Sequence, residues 1–121
     1  MSAGARATGQ HAEMLAQQFM EQRGMQTVAL NYQCPCGEID AVMRDGDVLV
    51  FVEVRYRRSD RFGTPAETIR RKKQERLLKS ARHYLQSNHR TREPRCRFDV
   101  IVMTGNLSKP NIQWIRDAIQ A

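Results

Sequence analysis

The sequence predicts one α/β domain, a mixed central sheet flanked by helices, in the order helix, three strands, helix, strand. Three observations carry that expectation. Apolar residues recur at helical spacing near the start of the chain, two alternating runs flank an Asp-Gly turn at its centre, and a basic helical stretch is followed by a β-branched run. At 121 residues the chain has room for one core and too little for two.

Residues 1–9 are small, polar and aperiodic, which predicts a flexible arm and leaves 10–121 as the domain. Ala12, Leu15, Ala16, Phe19 and Met20 then repeat with a helix's period and stop at Gly24, suited to a helix C-terminus; a helix of about four turns is expected. Met25 to Asn31 reads as a strand that ends before Cys34-Pro35-Cys36.

Glu38 to Met43 and Val48 to Arg55 flank Arg44-Asp45-Gly46-Asp47, a hairpin signal because the tight turn needs positive φ. With Asp45 and Gly46 as the loop, Arg44 pairs with Asp47, Asp40 with Phe51 and Glu38 with Glu53. Alternation then puts Glu38, Asp40, Glu53 and Arg55 on one side of the sheet, with Asp40 diagonal to Glu53 at roughly 7–8 Å, and Val48, Val50, Val52 and Val54 on the other.

Thr64-Pro65-Ala66-Glu67 has the cap, the proline and the glutamate of a helix start, and predicts a basic helix from there to about Gln86. Its apolar stripe is Ile69, Leu77, Leu78, Ala81 and Leu85. After a polar loop, Arg97 to Met103 is strand-like, and Ile112 to Ile119 holds a short strand passing into a terminal helical turn. No internal repeat or low-complexity segment interrupts this order.

Twenty Lys plus Arg against 13 Asp plus Glu give a formal charge of +7, a bias toward polyanionic partners. No run approaches the roughly 20 apolar residues of a membrane span, and the N-terminus lacks a secretory signal's apolar core, so a cytoplasmic protein is expected. Cys34, Cys36 and Cys96 are an odd set of three, better read as reduced thiols than as a disulfide framework. The Cys-Pro-Cys spacing is too tight for the usual structural zinc pair.

Acids gathered on one sheet face repel unless a cation, basic side chains or solvent neutralise them. Mg²⁺ needs one or two carboxylates, waters and substrate phosphate oxygens, and Asp40 and Glu53 are the pair assigned to it, with Arg55 presenting a fixed charge to the scissile phosphate. The competing reading, ordinary ion pairs on a solvated sheet edge, holds for a lone acid; it weakens here because Glu53 follows an apolar run that looks buried.

Gly37-Glu38-Ile39-Asp40, Val50-Phe51-Val52-Glu53-Val54-Arg55, Phe62-Gly63-Thr64-Pro65-Ala66-Glu67, the Lys72-Lys73 helix and Arg97-Phe98-Asp99-Val100 together resemble the YraN-type family of small bacterial proteins. That family is similar to the restriction-endonuclease-like PD-(D/E)XK superfamily, and especially to archaeal Holliday-junction resolvases. The resemblance implies an αβββαβ core, with Asp40 as the motif Asp, Glu53 as its acidic residue and Arg55 in its Lys position. In resolvase-like members a glutamate of the first helix also approaches the metal, and Glu13 holds that place here, though a solvated helix glutamate is an equal reading. The resemblance implies a metal-dependent endonuclease, with Mg²⁺ or Mn²⁺ as cofactor and DNA, including branched or recombination intermediates, as substrate.

Two departures bear on that expectation. Ile39 replaces the proline before the motif Asp, a change tolerated in the superfamily. Arg55 replaces the motif Lys, and a guanidinium that never loses its proton cannot serve as a general base. Hydrolysis would then depend on a cation-activated water, and a site that binds without cutting is the alternative.

Arg55, Tyr56, Arg57, Arg58 and Arg61, followed by Arg70 to Lys73, place dense positive charge after the acids. Arg57, Arg58, Arg70, Lys72 and Lys73 are the candidate phosphate contacts, and no element looks shaped for reading bases. Cutting both strands of symmetric DNA would call for a homodimer, which the sequence itself does not display. Besides the endonuclease, a non-catalytic nucleic-acid-binding module and an adaptor docking through Trp114, Ile115 and Ile119 remain open.

Overall fold

The computed structural model describes residues 2–58, 70–88 and 94–119. Helix α1 (Ser2–Glu21) is followed by β1 (Gln26–Cys34), β2 (Gly37–Asp45), β3 (Val48–Arg57), α2 (Arg71–Asn88), β4 (Arg95–Thr104) and β5 (Asn111–Ile115). The five strands form one sheet in sequence order: β1, β2 and β3 run antiparallel, β4 is parallel to β3, and β5 returns antiparallel to β4. Parallel neighbours need a crossover, and α2 lies in it.

The two sheet faces bury different helices. Ala12, Ala16 and Met20 of α1 pack with Ala41, Met43, Val50, Val52, Ile101 and Met103. On the other side Leu77, Ala81 and Tyr84 of α2 pack with Val42, Leu49, Phe51, Phe98, Val100 and Val102. Covered on both faces, β3 and β4 read as nearly continuous apolar runs, and any charged residue inside them is there against the hydrophobic gradient. Among the described residues no helix is long and apolar enough to cross a membrane.

Several expectations are corrected here. Residues 2–9, expected as an arm, belong to α1, whose alanines at 3, 5 and 7 favour a helix despite the glycines at 4 and 9. The hairpin loop is Gly46-Asp47 rather than Asp45-Gly46, because Asp45 pairs with Val48. Gly46 has φ +60° and takes the first loop position, where a type II′ turn needs it. The helix α2 starts at Arg71, with Arg70 outside it, and the proposed start at Thr64-Pro65-Ala66-Glu67 lies outside the described residues, as do Phe62, Gly63, Arg61 and Ile69. After β5 the chain makes turns rather than a helical turn.

The docking patch dissolves for a physical reason. Along β5 the side chains alternate: Trp114 packs on the α1 side and Ile115 on the α2 side, while Ile119 is buried in the α2-side core. Trp114 Nε1 also donates to buried Asp99 at 2.9 Å.

Candidate active site

The corrected register decides where the acids meet. Pairing of β2 with β3 is regular to Ala41 and Val52 and is not continued at Asp40 and Glu53, whose carboxyls share a hydrogen bond just beyond it. There the backbone ladder stops, and the Val54 amide donates 2.8 Å to Asp40 Oδ2 in place of a main-chain carbonyl. Regular side-chain alternation slips at the same point: Ile39 packs on the α2 side, Ala41 on the α1 side. β2 and β3 therefore part at Asp40 and Glu53.

The parting opens a cleft of about 590 Å³ lined by Glu13, Glu38, Asp40, Glu53, Arg55, Tyr56, Arg57 and Lys73. Glu13 reaches it from α1, Lys73 from the first turn of α2, and the rest from the sheet. Glu53 is only 5 % exposed. Its Oε2 lies 3.4 Å from Lys73 Nζ and 4.0 Å from Arg55 Nη1.

Burial and crowding leave this cleft short of positive charge. Glu53 is raised to about 7, first by burial, then by the Asp40 charge, against the opposing pull of Lys73. Glu13 is also raised to about 7 by burial, by the charges of Asp40 and Glu38, and by its hydrogen bond to Asp40. Asp40 is raised by burial, although the Val54 amide and a hydrogen bond with Glu53 oppose the shift. Near neutrality the site holds protons that free carboxylates would have released.

Linkage turns this into a stability prediction. In the folded chain Glu13 and Glu53 keep their protons to about pH 7, whereas the unfolded chain loses them near 4.5, so folding takes up protons between the two. The cleft's contribution to stability is thus largest below 4.5, falls through that window and is level above 7. In chelator, wild type should lose more stability than Glu53→Gln between about pH 5 and about pH 8, as read from urea midpoints. Equal losses would refute it.

The sequence-predicted residues divide in two. Glu13, Glu38, Asp40, Glu53 and Arg55 come together in the cleft, with Arg57 and Lys73 of the basic set. Arg70 and Lys72 are exposed at the start of α2, and Arg58 lines a separate 420 Å³ depression with Thr8, Tyr56 and Leu107. Lys73, expected as a phosphate contact, lies in the cleft with its Nζ 3.4 Å from Glu53 Oε2. A lysine among Arg71, Lys72 and Lys73 carries no local sign of which one turns inward. Tyr56 packs on the α1-side core and donates to the Gly105 carbonyl at 2.6 Å.

Among the described residues, no three His, Cys, Asp or Glu side chains stand in ligand geometry for a metal ion. The donor chemistry nevertheless suits a hard cation: Mg²⁺ asks for one or two carboxylates plus water and substrate oxygens, and Asp40 and Glu53 face each other with raised proton affinity.

Helices on both faces of a five-stranded mixed sheet define an α/β protein, an architecture consistent with a restriction-endonuclease-like core. The chain belongs to the uncharacterised protein family UPF0102, the YraN-like proteins, whose family model matches residues 12–103. It is similar to UPF0102 proteins of Hahella chejuensis (50 % identical over 111 residues, 91 % of this chain and 87 % of the relative) and of Nitrosococcus oceani (44 % over 115 residues, 95 % and 93 %). A UPF0102 protein of Nitrosomonas europaea is 47 % identical over 110 residues, 91 % of each chain.

Proposed function

We propose that this protein is a divalent-cation-dependent endonuclease that hydrolyses phosphodiester bonds in DNA. The observation that carries the reading is the Asp40–Glu53 pair, gathered where two strands part in an open cleft that Glu13, Glu38, Arg55, Arg57 and Lys73 also line. Asp40 and Glu53 would hold the Mg²⁺ or Mn²⁺, which supplies charge neutralisation at phosphorus and lowers the proton affinity of water.

The chain's own groups do the rest. Val54 N–H fixes the Asp40 carboxylate by occupying one of its oxygens. Arg55 and Arg57 line the same cleft and present donors to a phosphodiester, the geometry in which arginine outperforms lysine. Lys73 compensates for the arginine at the motif's lysine position, since its ammonium holds Glu53 toward the charged form. Arg58, Arg70 and Lys72 extend the positive surface beyond the cleft for flanking phosphates.

Lys73→Met should lower hydrolysis about tenfold to a hundredfold and move the acid limb of its pH profile upward, because Glu53 then holds its proton to higher pH. Lys73→Arg should keep most activity. An unshifted profile in Lys73→Met would take Lys73 out of the site chemistry.

The experiment for the reading as a whole is hydrolysis of matched linear duplex, single-stranded, flap and four-way-junction DNA in Mg²⁺, in Mn²⁺ and in chelator. Metal-dependent nicking of any of them supports it, and the preferred substrate names the structure recognised. The second reading, a nucleic-acid-binding module without catalysis, is favoured by Arg55 alone; it predicts salt-sensitive binding to every substrate and product from none.

A further inference from the structure

The β1–β2 connection carries chemistry that the acidic cleft does not use. Cys34 pairs with Gly37 across the turn, so Pro35 and Cys36 form a two-residue loop in which proline fixes φ. Both thiols are partly exposed, and their sulfurs stand 3.3 Å apart, sharing a hydrogen bond in which either can donate. Cys34 also donates to the Gly37 carbonyl at 3.5 Å.

Gly37 has φ +149°, and a Cβ added there would come within 3.2 Å of Ser80 Oγ and 3.7 Å of Arg76 Cβ. The turn is therefore pressed against α2, which only glycine allows. Ser80 is fully buried, and its hydroxyl has no full hydrogen-bond partner among the described residues. A buried donor left unmatched is costly unless some state of the molecule supplies an acceptor. The neighbouring Cys34 sulfur is that acceptor once it is ionised.

We propose that Cys34 and Cys36 form a redox-active dithiol that closes reversibly to an intramolecular disulfide at the β1–β2 turn, with small-molecule disulfides of the glutathione type as its exchange partners. The Cys34 thiolate attacks one sulfur of the small disulfide, whose S–S bond breaks, and the expelled thiolate takes up a proton. Cys36 then gives up its proton and attacks the Cys34 sulfur, expelling the second small thiolate. One small disulfide is reduced to two thiols while the protein loses two protons and two electrons.

The two sulfurs are suited to different steps. Burial alone would push the Cys34 thiol up, but hydrogen bonds from Ser80, Cys36 and the turn backbone outweigh it and lower the thiol. Cys36 is raised, chiefly by its hydrogen bond to Cys34, although Lys79 pulls the other way. Cys34 is thus the attacking sulfur and Cys36 the resolving one. A metal site is the weaker reading of the same pair, since no third ligand stands with it among the described residues. Glu38 follows Gly37 directly and lines the cleft, so closure of the pair acts on the strand that carries Asp40. The proposal does not depend on the hydrolase reading.

Full-length protein equilibrated across a glutathione redox series, then alkylated, digested with trypsin and weighed, tests it. The tryptic peptide 24–44 holds both cysteines and should lose about 2 Da and its two alkylation sites together as the buffer becomes oxidising, while Cys96 stays alkylatable and reduced glutathione reverses the change. Cys36→Ser should stop at a glutathione adduct on Cys34, and Ser80→Ala should slow alkylation of Cys34 about threefold or more near neutral pH. The proposal fails if wild type accumulates only glutathione adducts, if all three thiols alkylate alike in every buffer, or if Zn²⁺ in reducing buffer protects the pair stoichiometrically.

Discussion

Asp99→Ala should destabilise the chain by about 3–5 kcal/mol, enough to lower its Tm by roughly 10 °C or more. Asp99 is 0 % exposed in the middle of β4, and its two oxygens receive donors only. Arg97 Nε donates at 3.0 Å and Nη2 at 3.1 Å, Trp114 Nε1 at 2.9 Å and the Asp117 amide at 3.0 Å. Arg97 in turn reaches Asp45 at 2.9 Å. One acid thus ties β4 to β5, to the turn after it and to the end of β2.

Removing it leaves two N–H donors and one edge of a half-buried guanidinium without an acceptor, and Asn repairs little, because its amide group would turn donors toward donors. Asp99→Asn is expected to cost nearly as much as Asp99→Ala. Urea unfolding with an unchanged m-value is the measurement, and a loss below about 1 kcal/mol for Asp99→Ala would show that this network is not what holds the sheet edge.

Asp40→Asn and Glu53→Gln should do the opposite to stability and more to function. Under the proposed function each should cut metal-dependent hydrolysis by about 100-fold or more, because one of the two carboxylates assigned to the cation would lose its charge. In chelator near pH 8 each should leave the fold as stable as wild type or more so, since a crowded negative charge has gone. Asn keeps an oxygen for the Val54 amide, which Ala would leave without its partner. Added Mn²⁺ should raise the Tm of wild type more at about pH 8 than at about pH 5, and leave both variants nearly unmoved. A variant that loses stability along with activity would instead mark these acids as structural.

Much of this was legible because local chemistry was strong. The Asp-Gly turn located the hairpin, and the period-two runs around it placed Val48, Val50, Val52 and Val54 opposite Asp40 and Glu53. The turn subtype was not legible: Gly46 satisfies either loop position, and moving it by one residue changes which residues face each other across the hairpin. Asp99 was quoted as part of a motif without a role, since a charged residue in a strand shows its burial only when β5 is laid beside it. Lys73 needed the angle at which α2 crosses the sheet. The helical state of residues 2–9 was missed because two glycines and no apolar stripe outweighed three alanines in the reading.

The central claim is that the acids of the parted strands bind a cation and cut DNA. Single-turnover hydrolysis of an end-labelled four-way junction and of linear duplex, by wild type and Glu53→Gln at equal concentration, with Mg²⁺ and with chelator, tests it most directly. Wild type should give product in Mg²⁺ alone and Glu53→Gln at least about 100-fold less, with both proteins still binding the DNA. Equal cutting by the two proteins, or tight binding by wild type with no product in either metal-containing reaction, would contradict it.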